Sequence, residues 1–404
     1  METKQENIVE GICGKNLTWF FSKGDGILTI KGSGEMDSFD EEPAPWNEYE
    51  IKKVVLPKGL LNISLCAFRY CLELTEIVIP DTVLSIDDGA FIKCRALSSV
   101  IIGNNVTSIG ENAFYECVSL TSISIPDSVV SVGQRAFAEC RALSSVIIGN
   151  SVTSLGEDAF YECHNLTSII IPDSVTSIGE YAFNKCTALS SVTIGDGVTS
   201  IGSRAFSECG SLVSITLPNT ITLIGSFAFS DCEKLTDINI PNSITSIEAG
   251  VFSDCTSLTS IKIPDSVTNI GNSAFEDCHN LTSIKIPNSV TSIGAWAFRD
   301  CNSLIKINIP NNVLIIGNQA FASCSSLDSI TIPRSVTHIC KCAFGGCNSL
   351  SSITLEAVIP PTLGKCVFDE VDKSIPLFVP KDSVEKYKAT EQWSDFTNIQ
   401  PIRI

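Results

Sequence analysis

Eighteen cysteines and three histidines are the residues of this 404-residue chain best suited to nucleophilic or metal chemistry. Their spacing argues against most of it. Thirteen of the cysteines recur at one fixed interval, from Cys71, Cys94 and Cys117 onward to Cys347. So strict a period reads as a buried structural column, because an unpaired Cys packs as a small hydrophobe. Neighbours in such a column would lie close enough to bridge, but a bridge would distort a regular stack, so most are expected to be reduced. Cys66, Cys340, Cys342 and Cys366 are off register, and Cys13 sits in a polar context. Cys340-Lys341-Cys342 near His338 offers soft ligands, yet one C-x-C lacks the second pair that a zinc site needs. No metal or cofactor is expected.

Catalytic readings fare no better. His164 and His279 hold the same repeat position five periods apart, which at strand spacing separates them by about 24 Å. A nucleophile, base and orienter must lie within hydrogen-bond reach. The serines follow the repeat as turn and strand residues. Gly32-Ser33-Gly34 lacks the strand-to-helix setting of a phosphate loop. Repeats of uniform length leave no inserted loop to build a pocket. The chain reads as a non-enzyme.

The period itself is the main signal. Phenylalanines stand at Phe68, Phe91, Phe114 and onward to Phe344, thirteen in all, and every gap is the same. Cys follows at +3 and Leu at +6 without exception. Ile or Val comes at +9 and Ile or Leu at +11, then Pro or Gly; two more aliphatics come at +15 and +18, and a small residue precedes the next Phe. Inward residues two apart predict a short strand. Pro or Gly ends it, and Asp/Asn-Ser/Thr suits the turn that follows. V-T-S-I predicts a second extended segment, with the glycine after it permitting a sharp corner. The A-F-x-x-C piece is too short for a full helix and predicts a turn or short 3₁₀ coil. One such unit buries too few apolar side chains to offset the ordering of its backbone, so the units must stack into continuous Phe, Leu and Ile ladders. The fold expected is a mostly β solenoid of thirteen 23-residue repeats, capped at both ends.

The ends depart from the period. Residues 1–56 read as an N-terminal cap, with Leu17–Phe21 and Ile27–Ile30 as a hairpin. After them an acidic loop, Asp37–Glu42, leads to Pro45 and Trp46, placed to close the first repeat. The repeats occupy 57–356. Residues 357–404 read as a C-terminal cap, because Phe368 falls one position later than the period from Phe344 allows. Within it Asp382–Ala389 predicts one short amphipathic helix, N-capped by Ser383 or Asp382.

The thirteen A-F-x-x-C-x-x-L-x-x-I-x-I-P units, with Val251 once replacing Ala, resemble the Bacteroides surface protein A-like class of leucine-rich repeats. The likeness extends to Gly11–Trp19, Gly26–Gly34 and Pro45-Trp46. At the other end it takes in Pro360–Gly364, Val379-Pro380, Tyr387 and Trp393–Phe396. The resemblance implies a leucine-rich-repeat fold, a cell-surface or secreted location, and adhesin-like binding of host, microbial or extracellular proteins. The leading METKQENIVEG is polar and shows no secretory signal. A cytoplasmic scaffold or effector therefore stands as an alternative, favoured by the many unpaired thiols. A glycan-binding surface module is a third reading.

Net charge is −18. That repels phosphate backbones and anionic lipid, so nucleic acid is a poor partner. No apolar run is long enough to span a membrane. Binding is expected on outward strand positions of the sheet taken to be concave. At +8 the row is Ser in ten of thirteen repeats, with Glu76, Asp237 and Lys306 as exceptions; at +10 it varies. Val78, Ile101, Ile147 and Ile170 form an aliphatic patch there. Lys262, Lys285 and Lys306 form a basic strip suited to a carboxylate-bearing partner, and Asn239 and Asn308 complete the candidate set. Residues 94–123 match 140–169 at 25 of 30 positions. Growth by copying whole units suits a binding surface more than a catalytic site.

Overall fold

The computed structural model describes residues 8–40 and 42–402; the leading METKQEN and Glu41 of the acidic loop lie outside them. The chain falls into two units, Met1–Gly210 and Ser211–Ile404. Each is a stack of solenoid turns. In the first, short strands from Asn62–Ile63 to Ser200–Ile201 pair in parallel, each with its equivalent in the next repeat. Longer strands form the second side, as where Ser122–Ser124 pairs Ser145–Ile147. In the second unit Ser246–Ile247, Asn269–Ile270 and Ser292–Ile293 repeat the arrangement. On the long strands the middle aliphatic is buried and its neighbours are exposed.

The A-F-x-x-C piece is a turn, and its phenylalanines are fully buried. Rings from Phe68 to Phe206 in the first unit stack nearly parallel, with centroids 5.1–5.4 Å apart. Phe252 to Phe344 continue the pattern in the second. The turns also carry backbone bonds between rungs: Phe114 N–H donates to the Ala136 carbonyl at 2.8 Å and Glu116 N–H to Ala138 at 2.9 Å.

Two sequence expectations need correction here. The corner glycine reads from sequence as the source of a sharp bend. Gly133 is instead small because a Cβ would meet the Gly110 carbonyl carbon at 2.6 Å. The left-handed residues flank the phenylalanine and are mostly not glycine; Asn112 and Glu116, with φ of 54° and 55°, bracket Phe114. The N–H groups of Asn112 and Glu116 bond across to the carbonyls of Gln134 and Ala138 in the next rung, which offsets the strain of a left-handed L-residue. The thiols, in turn, are more than small hydrophobes. Cys94 Sγ donates to the Phe68 carbonyl at 3.0 Å, and the same bond recurs at Cys117, Cys140 and Cys163 and, in the second unit, from Cys255 to Cys347. No disulfide is present among the described residues.

At each end the stacking runs past the thirteen sequence repeats, to Trp46 beside Phe68 in the first unit and to Phe368 beside Phe344 in the second. At the N-terminus β1 (Ile8–Gly14), β2 (Leu17–Ser22) and β3 (Ile27–Gly34) form an antiparallel sheet, and β4 (Lys53–Val55) adds to β3 in parallel. The hairpin expected from sequence is β2–β3. β1 escaped notice because it buries little beyond Cys13 and leaves Ile8 and Ile12 exposed, so it shows no apolar alternation. Cys13 itself is fully buried, contrary to its polar surroundings in sequence. Trp46 ends the ring column. It stacks on Phe68 at 5.8 Å, and its Nε1 donates to the Ala67 carbonyl at 2.8 Å. In interior rungs a Phe backbone N–H serves such an alanine carbonyl; at this end the indole N–H of Trp46 serves it.

At the C-terminus the extra residue before Phe368 does not end the stack. Phe368 lies 5.5 Å from Phe344, and Leu377–Val379 pairs with Ser352–Leu355. A 3₁₀ turn, Lys381–Ser383, precedes α1 (Val384–Ala389). Ser383 is the N-cap by position, but its hydroxyl does not cap the helix; it donates to the Val358 carbonyl. Tyr387 Oη and Trp393 Nε1 donate likewise to Ala357 and Pro361. Three side chains thus satisfy carbonyls that have no further rung.

Replacing Phe137 by Ala should cost about 3–5 kcal/mol of stability, read from guanidinium unfolding. Trp46→Phe keeps a ring but leaves the Ala67 carbonyl unsatisfied, and should cost about 1–3 kcal/mol by the same measurement.

Candidate binding surface

The outward rows lie where the pleat puts them. In the first unit Val78, Ile101, Ile147 and Ile170 are 58–68% exposed. Val78 pairs with Ile101, and Ser124 with Ile147, so the row runs rung by rung. Sequence reading missed its first member. Val55 lies one period before Val78 and is also exposed. Pro45-Trp46 in place of Ala-Phe concealed that rung, although the spacing from Val78 would have found it. A groove of about 760 Å³ follows this edge, lined by Val55, Val78 and Ile101 and flanked by Lys53 and Glu76. Lys53 and Glu76 pair at 3.2 Å; exposed on both sides, the bond adds little stability.

In the second unit Lys262 and Lys285 are register partners, and Lys306 pairs with Ser283. The three line a shallow groove of about 600 Å³ with Ser260, Ser283 and Asn308. Among the described residues they enter no ion pair. Asn239 and Asn308 lie on the same face, but their amides already bind the preceding rung. Asn239 accepts from the Leu217 N–H and donates to the Leu217 carbonyl, both at 2.9 Å. Asn308 does the same to Ile286. Each amide stands in for a peptide group where the strand stops one residue short.

The histidines serve the backbone too. His164 Nδ1 lies 3.0 Å from the Lys185 carbonyl, and His279 Nδ1 lies 2.9 Å from that of Asp300. His338 contacts its neighbour Thr337. No cluster of three or more His, Cys, Asp or Glu placed to hold a metal ion occurs among the described residues.

Acidic side chains at +2 form a further row. In the first unit bases brace it: Arg95 and Lys93 reach Glu116, and Arg141 and Lys185 reach Glu162. Burial would raise Glu116, but Arg95 and Lys93 outweigh it and hold the carboxyl below its usual value. In the second unit aspartates stack on one another. Burial, then Asp231 and Asp277, push Asp254 up to about 6.

Comparison with known proteins agrees with this architecture. The BspA type leucine rich repeat region matches in six copies, over residues 45–166, 153–281 and 245–374. A leucine-rich repeat protein from Bacteroides ovatus is 26% identical, with 96% of this chain and 99% of that one covered and a TM-score of 0.64. A leucine rich cell surface protein from Faecalibacterium prausnitzii is 30% identical over 85% and 93%, with a TM-score of 0.50. No curated protein matches the chain.

Asp254 holds its proton more tightly folded than unfolded, where a carboxyl titrates near 4. Stability from this group is therefore present below the unfolded value and lost as pH rises through about 6. Asp254→Asn should raise Tm at pH 8, and the gain should shrink on acidification to pH 4, read by calorimetry at both ends.

Proposed function

The chain belongs to the BspA-type leucine-rich-repeat family, and from that premise we propose that it is a non-catalytic binding module, displayed at the cell surface or secreted, which recognises another protein through the outward rows of its long strands. The observation that carries this reading is the aliphatic row. Val55, Val78, Ile101, Ile147 and Ile170 stand exposed on successive or near-successive rungs. Water-facing β-branched side chains in line form an apolar patch of the kind that marks interaction sites. The serines beside them supply hydrogen-bond groups without the entropy of long side chains.

The surface location follows the family and the Faecalibacterium relative, which is described as a cell surface protein. No helix among the described residues is long and apolar enough to cross a membrane. A protein ligand is favoured over a glycan because the outward strand rows of the thirteen repeats carry no aromatic platform. The basic groove at Lys262, Lys285 and Lys306 adds a second contact for carboxylates, which steers approach more than it tightens the complex.

Immobilised chain should retain an extracellular protein partner, and Ile147→Glu with Ile170→Glu should weaken that binding by more than tenfold, since the change removes apolar contact and buries charge. Lys262→Glu with Lys285→Glu should slow association and remove its salt dependence. Undiminished binding by the isoleucine variants would take the aliphatic row out of the site.

A further inference from the structure

Four thiols, Cys66, Cys340, Cys342 and Cys366, are not fully buried, and two of these sit on neighbouring rungs. Cys342 lies two positions before Phe344 and Cys366 two before Phe368. The one-residue insertion that shifts Phe368 out of period is absorbed ahead of this point. Cys342 N–H donates to the Lys365 carbonyl and Phe344 N–H to that of Val367, both at 2.9 Å. That pattern makes Cys342 and Cys366 register partners, with Cα atoms about 4.8 Å apart, inside the range that a disulfide spans. Both are left-handed, with φ of 51° and 58°, so their side chains leave the turn in like directions.

We propose that Cys342 and Cys366 form an oxidisable pair that staples the last full repeat to the C-terminal turn. The thirteen column cysteines are also stacked at rung spacing, but they are buried, and most donate to a phenylalanine carbonyl. Burial pushes Cys140 up to about 12, so little thiolate forms there. Cys366 is exposed, whereas Cys342 is half-buried and raised by burial and then by Cys366 itself. This asymmetry assigns the order. The Cys366 thiolate attacks one sulfur of a small disulfide such as oxidised glutathione, giving a mixed disulfide and one released thiol. Cys342 then loses its proton to solvent and attacks Cys366 Sγ, releasing the second thiol. Two protein thiols are oxidised and one glutathione disulfide is reduced to two thiols.

The position gives the bond a use. The turn at Phe368 carries Leu377–Val379 and then Tyr387 and Trp393, the side chains that close the stack. Ends are where a solenoid opens first, so a cross-link at the final rung opposes fraying. Nothing in this depends on which ligand the outward rows bind.

Trypsin separates the candidates, because Lys341 and Lys365 place Cys340, Cys342 and Cys366 on three different peptides. Reduced full-length chain, treated with oxidised glutathione and mapped without reduction, should show Cys342–Lys365 joined to Cys366–Lys373. Cys366→Ser should abolish the joined peptide, and Cys342→Ser should leave glutathione on Cys366. Serine is tolerated at this column position, as Ser273 shows with φ of 55°. Oxidation should also slow amide hydrogen exchange over residues 366–379 at least tenfold. Linkage through Cys340, a cross-linked dimer, a joined peptide that survives Cys342→Ser, or no oxidation would overturn the assignment. Unchanged exchange in the linked protein would overturn the staple.

Discussion

The contact of each rung with the next is the constraint on which this protein depends. A single turn has no inside of its own. Its phenylalanine finds another ring only in the neighbouring turn, 5.1–5.5 Å away in most of the stack. Its backbone N–H groups find acceptors there as well. Ring, thiol and peptide bonds share one register, so an inserted residue that the connecting segment did not absorb would displace all three together. The period therefore holds without a slip from Phe68 to Phe344. The one extra residue before Phe368 is absorbed ahead of Cys366, and Phe368 keeps its place on Phe344 at 5.5 Å.

An interior so constrained leaves variation to the outside. Side chains at +8 and +10 of the long strands meet solvent and can change without disturbing the stack. Aliphatics gather there in the first unit and lysines in the second. The +2 row shows the same freedom in its charges. Arginine and lysine brace the glutamates in one unit, while in the other burial, and then neighbouring aspartates, raise Asp254. The ends obey a different rule. There the groups that a next rung would satisfy must be met by side chains, and Trp46, Tyr387 and Trp393 meet them with an apolar ring and a polar tip apiece.

The sequence by itself determined the repeat length, the buried columns of Phe, Cys and Leu, the strand pattern and the family. These follow from periodicity, because equivalent residues must face the same way in every turn. It also located the outward rows, since a pleat of period two leaves no other face for Ile101 or Lys262. Tertiary structure decided the rest. That Asn239 clamps Leu217, that Gly133 makes room for a backbone, that a thiol bonds a phenylalanine carbonyl, and that Glu116 sits left-handed are all facts about one rung touching another. The contacts join residues about one period apart, atom to backbone, and residue type at either end does not announce them. The final rung at Phe368 became visible only there too, because a degenerate turn keeps the geometry of the stack after losing its letters.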